Sequence, residues 1–584
     1  MSKPQGLSAR VTRTRNHWSA RRATRGSTVA AFQTAPEPKT IGSFARGRQL
    51  LAGNYLFAGH LVQGPNSMLW DIDVLDSKWV EETQGFTWLD DLAAVGDFNT
   101  RKLGQSWVWG WIDRFGRGTG PGWTPDLTGR RLIRWINHAS FLLHGRSEEH
   151  SDLFYRSLGH QTVFLSKRWH ATTPGLRRFE ALVGLIYAAL TLEGMESRAE
   201  PAITALVKEC DSQVGGQGGL PTRNPEELLN VFTLLTWGAA ALSDAGKVIP
   251  DSLLKAIERI APTLRTLRHS DGGLARFHGG GRGLEGWLDS ALAASGVKTR
   301  QPDGLSMGYA RLSAGRTSVI VDAAKPPSGK SSPNGHASTL AFELTSGRRS
   351  LIVNCGSGVR FGPDWRRAGR ATPSHSVLCL DGFSSSRLGS SDKDSIHEFL
   401  IEAPDQVPIE VNQAPDGLRF QGGHDGYAKT HGLTQARALE LTFDGRSLVG
   451  EDSLLAIEDA QKRRFKAAMN DRNSTGIPFD IRFHLHPEVE AALDLDGTVI
   501  TMALKSGEVW VFRHDGTQRL SLEPSVFLEQ RRLKPRASQQ IVLSGHATQF
   551  ATQVRWSLSK AQETAIGVRD LRPDDEPSMD DGTR

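Results

Sequence analysis

Residues 308–324 read GYARLSAGRTSVIVDAA, and they mark a change of period along the chain. Two short runs rich in Leu, Val and Ile flank a turn at Gly315, the pattern of paired antiparallel strands. The same pattern continues downstream. STLAFELTSGRRSLIVNCG (338–356), HSVLCLDGFSS (375–385), ARALELTFDGRSLVGED (436–452), IRFHLHP (481–487) and GEVWVFRHDG (507–516) are short β-forming runs separated by Gly, Asp-Gly and Ser-Gly turns. A large antiparallel β domain is predicted over residues 305–569.

Upstream, over residues 41–304, the apolar spacing is helical. DLTGRRLIRWINHASFLLHG (126–145) puts Leu132, Trp135, Ile136 and Ala139 on one stripe, with Thr128 as the expected N-cap. FEALVGLIYAALTLEG (179–194), PEELLNVFTLLTWGAAALSDAG (225–246) and SLLKAIERIAPTLRTLRH (252–269) repeat the theme. Helices in series must bury their apolar faces against one another, as in a bundle or a toroid. The predicted architecture is therefore α first, then β, without a strict internal repeat. Tryptophan follows the division, since twelve of the fifteen precede residue 300. Most are expected in the core. Trp123, in the Gly/Pro-rich GTGPGWTPD (118–126), is expected to line a groove where its face can stack on a sugar ring.

The 584 residues carry a net charge of +6, yet residues 1–48 alone hold ten Lys/Arg and one Glu, a local +9 that leaves about −3 for the rest. The body is not basic and has no basic–aromatic RNA-binding signature, so no nucleic-acid partner is expected. Residues 1–40 are rich in Arg, Ser and Thr and lack an apolar core segment, which predicts a disordered basic arm and not an export signal. Residues 570–584 are expected to be a disordered tail. The longest apolar run, ALVGLIYAALTL (181–192), is too short to span a bilayer. Cys210, Cys355 and Cys379 form no CxxC pair and are too few for a disulfide framework. Together these features predict a cytoplasmic protein with no transmembrane segment.

Several constellations could carry chemistry. In GGLPTRNPEELLNVF (218–232), Asn224, Pro225 and Glu227 read as N-cap, N1 proline and N3 acid of a capping box. The functional alternative has Asn224 and Glu227 meeting a substrate. SPNGHASTLAFEL (332–344) sets His336 before an apolar strand, and DWRRAGRATPSHSVLCLDG (364–382) sets Arg366, Arg367 and Arg370 ahead of His375. His and Arg gathered at strand mouths suit an anionic ligand, because guanidinium pairs bidentately with oxyanions. RFHGGGRG (276–283) holds His278 against three glycines with an arginine close on either side, which is either a reactive group at the floor of a cleft or a residue in a turn. His484 and His486 share a strand face but lack an adjacent third metal ligand, and a solvated face explains them better. Asp90 and Asp91 are helix neighbours that point apart, a poor acid–base pair.

With NPEE (224–227), GHASTLAFELTSGRRSLIVNCGSG (335–358) and RRAGRATPSHSVLCLDG (366–382) in hand, the chain resembles the heparinase II/III-like family of polysaccharide lyases. The likeness is firmest over residues 305–385 and looser over 85–300. It implies an N-terminal (α/α) toroid followed by a C-terminal antiparallel β-sandwich, and cleavage of uronate-containing acidic polysaccharides by β-elimination. That chemistry must neutralise the carboxylate beside a weakly acidic C5–H, remove the proton with a base, and protonate the departing oxygen. Asn224 matches the neutralising position of the family, and His336 the assisting histidine.

The family's tyrosine has no counterpart. The chain has five tyrosines, Tyr55, Tyr155, Tyr187, Tyr309 and Tyr427, and none falls downstream of NPEE where the resemblance requires it. RFHGGGRG takes that place, so His278 is the expected base, with Tyr427 in GGHDGYAKTHG (422–432), near His424 and His431, as the alternative proton carrier. His336 with Arg370 would bind charge, and Glu227 and His375 would support them. Some relatives hold a structural zinc; the matching residues are His336, Asn354 and His375, and the neutral amide of Asn354 makes a poor ligand, so no metal or other cofactor is expected. Two other readings stand beside the lyase. One is a non-catalytic glycan-binding or envelope-associated relative that has lost the tyrosine. The other is a glycoside hydrolase, which would need Asp126 and Glu226 or Glu227 as its carboxylate pair. The family resemblance also offers a periplasmic location as the alternative to a cytoplasmic one.

Overall fold

The computed structural model of the protein describes residues 7–26, 29–34, 38–65, 67–74, 76–299, 304–389, 398–529 and 532–561. The chain makes two compact units that interleave in sequence. Met1–Gly216, Leu229–Ala261 and Asp289–Val297 form the first; Gln217–Leu228, Pro262–Leu288 and Lys298–Arg584 form the second. The NPEE motif and the RFHGGGRG loop thus belong with the β strands and not with most of the helices.

The first unit is helical apart from the hairpin Asn54–Phe57 with His60–Gln63. Its centre is aromatic: the Phe86 ring lies 4.8 Å from Trp88 and 5.3 Å from Trp135, and Trp111 lies 5.5 Å from Trp135, centroid to centroid. Helices Pro125–Asn137 and Leu176–Thr191 approach at Gly129 and Gly184, where a Cβ on Gly184 would stand 2.5 Å from the Gly129 Cα. Only hydrogen at both positions permits that crossing.

Three expectations are corrected here. Trp123 is 1% exposed and lines no groove; its indole N–H donates to the Phe115 carbonyl and its ring packs edge-on against Phe164. Thr128 is no N-cap. The helix starts a turn earlier, at Pro125 with Thr124 before it, because proline's fixed φ and missing N–H suit the first helical position. Within the basic arm, Leu7–Ala23 is helical, with Asn16, Ala20 and Ala23 buried and the Arg168 Nε donating to Asn16 Oδ1 at 2.8 Å. A basic segment orders when its few small and apolar residues find a face to cover. Residues 1–6 and the tail at 570–584 lie outside the described residues.

The second unit contains two eight-stranded antiparallel sheets. One runs in the order Arg519–Phe527, Arg536–Ala547, Ile477–Leu485, Arg349–Val353, Phe342–Ser346, Thr317–Asp322, Tyr309–Ala314, with Leu378–Leu380 also paired to Ile477–Leu485. The other runs Ile409–Ala414, Gly417–Tyr427, Leu433–Thr442, Ser447–Leu455, Ala551–Lys560, Val509–His514, Val499–Ala503, Glu490–Leu493. GYARLSAGRTSVIVDAA is the hairpin expected, with Ala314 opposite Thr317 across the Gly315 turn. Phe342 and Phe483 of the first sheet meet Trp556 of the second, at 5.9 and 4.7 Å between centroids, so the two form a sandwich over one core. Inside it Arg437 grips Asp452 with two bonds of 2.8 and 2.9 Å, both side chains fully buried.

Candidate functional site

Three of the expected site residues, His278, His336 and His375, are linked near one strand end. Asp322 closes Thr317–Asp322, a strand buried along its whole length. Its Oδ1 accepts from Arg223 Nη2 at 2.6 Å and its Oδ2 from the Ser338 hydroxyl at 2.7 Å, while His278 Nε2 stands 3.4 Å away. Burial pushes the Asp322 carboxyl up, but Arg223 and His278 outweigh it and hold the group well below the usual carboxylate range. Arg223 also donates to the carbonyls of Met307, Gly308, Ala324 and Lys325, and its own carbonyl accepts from the Tyr309 hydroxyl at 2.6 Å. One guanidinium therefore stitches the segment before the NPEE helix to the sheet.

Asn224 follows directly. Its Oδ1 accepts from the N–H groups of Glu226 and Glu227 at 3.0 and 3.1 Å, the N-cap geometry the sequence predicts. A Cβ on Gly280 would collide with that same oxygen, and Gly279 takes φ +88°, so two of the three loop glycines have stated work: one admits the cap, the other makes the turn. Glu226 reaches the loop, accepting from the Gly281 N–H at 2.7 Å.

The histidines form a chain of assigned tautomers. His375 Nδ1 lies 2.9 Å from the Ala371 carbonyl and must donate, so its Nε2 accepts. His336 Nδ1 is 3.0 Å from that Nε2 and donates, which leaves the His336 lone pair on Nε2. The His336 backbone N–H in turn donates to His278 Nδ1 at 3.1 Å, so the His278 proton sits on Nε2, facing Asp322. All three rings are buried. Burial lowers each of their pKa values, that of His375 to about 4 and that of His336 well below the ordinary value. Glu343, buried in the next strand, accepts from the Arg276 N–H at 3.0 Å and from Asn354 Nδ2 at 3.4 Å, and its Oε2 lies 3.3 Å from His269 Nε2.

These geometries correct several expected roles. A neutral imidazole has one lone pair, and that of His278 is taken by a backbone N–H, so the ring cannot accept a C5 proton as it stands. Arg370 donates to the carbonyls of Gly335, Glu398 and Ser332, which engages three of its five N–H groups. The Tyr427 hydroxyl donates to the Leu378 carbonyl, fully buried, and burial drives its pKa well above the ordinary value, so the hydroxyl keeps its proton. His375 and His336 bind each other and not an anion. Zinc does not fit either: Asn354 Oδ1 accepts from the Ser376 N–H and His336 pairs with His375 directly, and no group of three or more His, Cys, Asp or Glu among the described residues could hold a metal ion. His484 is engaged by Pro373 and Ser525, apart from any pairing with His486. In the first unit Asp90 binds Arg134 and His138, and Asp126 takes the Thr124 hydroxyl.

Arg223, Asp322 and Glu343 were missed by the sequence reading. The signal for the last two was an acid within or closing an otherwise apolar strand, a placement only a buried partner makes tolerable.

The family described as "Heparinase II/III-like, C-terminal" matches residues 296–557. FtsZ-localized protein C of Caulobacter vibrioides (strain NA1000 / CB15N) is 31% identical over 527 residues, covering 89% of this chain and 88% of that protein. The chain belongs to the heparinase II/III-like family. Heparinase III superposes with a TM-score of 0.67 at 12% identity over 93% of this chain and 89% of that one. The heparan sulfate lyase HepC of Pedobacter heparinus gives 0.55 at 12% over 95% and 89%. The heparinase II/III-like fold, a helical toroid followed by an antiparallel β-sandwich, is thus the fold of this chain. No helix among the described residues is long and apolar enough to cross a membrane.

Proposed function

We propose that this heparinase II/III-like protein is a non-catalytic member of its family that works as a binding protein where FtsZ assembles. The observation that carries the reading is the His278 lone pair, already accepting the His336 N–H. Around it the Asn224 Oδ1 is engaged by a helix cap and Arg370 by three carbonyls, and the family's tyrosine has no counterpart. A buried ring whose one acceptor is already filled by a backbone N–H is poorly placed to take up a proton. The relative named FtsZ-localized protein C, matched over nearly its whole length, supports the FtsZ setting.

A lyase acting on an acidic polysaccharide is the second reading. It is favoured by the tautomer chain, which leaves a lone pair on His336 Nε2 to serve as base. The weakness of that base, with its pKa held well below the ordinary histidine value, argues against it.

Two measurements on the full-length protein separate the readings. Incubation with a panel of uronate polysaccharides is followed by ultraviolet absorbance of the unsaturated product, and co-sedimentation is measured with polymerised FtsZ from the same source. Flat absorbance with saturable co-sedimentation is expected. Absorbance that rises with the wild type and disappears in His336→Ala would replace the binding reading with the lyase.

A further inference from the structure

The RFHGGGRG loop has a second consequence, at its two arginines. The Leu274 N–H donates to the Arg282 carbonyl at 3.0 Å and the Gly280 N–H to the Phe277 carbonyl at 3.0 Å, so the glycine turn folds the segment back on itself. Arg276 and Arg282 thereby line one cavity of about 30 Å3, together with Arg348 and Arg349 of the hairpin between Phe342–Ser346 and Arg349–Val353. The Arg276 guanidinium lies 4.4 Å over the Phe527 ring, which fixes its direction.

Cations outnumber the acids here. The carboxylates on the cavity wall are Asp271, Glu488 and Glu529, against four arginines. Each acid is already bridged: Asp271 to Arg282 at 3.6 Å, Glu488 to Arg349 and Lys505 at 3.2 and 3.3 Å, Glu529 to Arg532 and Arg536 at 3.1 and 3.2 Å. His486, also on the wall, accepts the Glu488 N–H at its Nδ1, so its Nε2 is a neutral N–H donor. Its charged form is suppressed first by burial and then by the surrounding arginines. A wall of guanidinium and N–H donors with a surplus of positive charge, too narrow for a chain, matches a single small oxyanion.

We propose that this cavity binds a tetrahedral oxyanion, a phosphate or sulfate group, through Arg276 and Arg348. The site is independent of the FtsZ reading and of the buried histidine chain. Guanidinium donors in this arrangement hold the anion by charge-assisted hydrogen bonds, so affinity falls as ionic strength rises.

The full-length protein is titrated calorimetrically with sodium phosphate and, separately, sodium sulfate, against sodium chloride of equal ionic strength. One saturable site is expected for at least one of the two anions. Arg276→Gln and Arg348→Gln should each weaken it about tenfold, the loss of one charge-assisted bond. Arg513→Gln, on an exposed strand position of the other sheet, should leave it unchanged. Saturation by phosphate alone assigns a phosphate-bearing ligand, and by sulfate alone a sulfate-bearing one. Arg348 is exposed, so its variant keeps the fold, and circular dichroism melts check both. No saturable heat with either anion, or unchanged affinity in both variants, overturns the proposal.

Discussion

Arg223 donates to Asp322 across 2.6 Å with the carboxylate wholly buried, and this pair ties the segment leading into the NPEE helix to the strand beneath it. A buried pair is worth little relative to two apolar residues but is costly to break, because one charge is then stranded. Asp322→Asn keeps the shape and removes the charge, leaving Arg223 cationic among carbonyls. Its expected cost is about 3–5 kcal/mol, read from the shift of the urea midpoint. Replacing both partners, Arg223→Met with Asp322→Leu, should cost clearly less than the single change. If the single variant unfolds at the wild-type midpoint, the pair is not holding the segment.

The buried histidines make stability depend on pH with a definite sign. Burial lowers His375 and His424 to about 4 and His484 to about 3, whereas the unfolded chain titrates near the ordinary histidine value. The folded state therefore stays neutral while the unfolded state takes up protons. Stability is full above a pH of about 6.5 and falls as pH drops toward 4, by on the order of 3 kcal/mol for a group shifted as far as His375. Thermal melts at constant ionic strength should show the transition temperature falling steadily between those limits. A flat profile from neutral pH down to about 4.5 would mean that these rings take up protons in the fold as readily as in the unfolded chain, contrary to the burial that favours their neutral forms.

How much of this was legible in the sequence differs by residue. The α-then-β order was visible because helices and strands impose different apolar periods, and the Gly315 hairpin was visible because its turn and alternation are local. Asn224 as a cap was equally local. The role of His278 was not, since it depends on a backbone N–H from His336, which lies far along the chain. The same holds for Arg370, a cation whose partners are three carbonyls that no sequence pattern reveals. Trp123 failed for a related reason: a Gly/Pro-rich neighbourhood signals a loop, and this loop folds its indole inward onto Phe164. Local chemistry was readable, while the occupancy of each lone pair was not.

In the helical unit the Gly129–Gly184 crossing gives a third test. A methyl group on Gly184 would meet backbone, which cannot swing away as a side chain can. Gly184→Ala, although it raises helix propensity by roughly 0.8–1 kcal/mol, should still destabilise, because overpacking of this kind costs about 1–3 kcal/mol. Denaturant unfolding followed by tryptophan fluorescence reports this unit, where most tryptophans sit. A gain in stability would show that the helices can part without loss.

The cap and the glycine loop can be tested against each other. Asn224→Ala removes the oxygen that satisfies two N–H groups at the helix start and should cost about 1 kcal/mol. Gly280→Ala drives a methyl group into that oxygen and should cost about 1–3 kcal/mol by the same measure. If the collision is with Asn224 Oδ1, as the geometry has it, the two effects cannot add. With the asparagine already shortened, the methyl group introduced by Gly280→Ala enters space the amide has vacated, and the double variant should be more stable than the sum of the single losses predicts. Strict additivity in the four-member cycle would place the Gly280 requirement elsewhere, in the backbone of the loop, and would separate the glycine run from the helix cap it now serves.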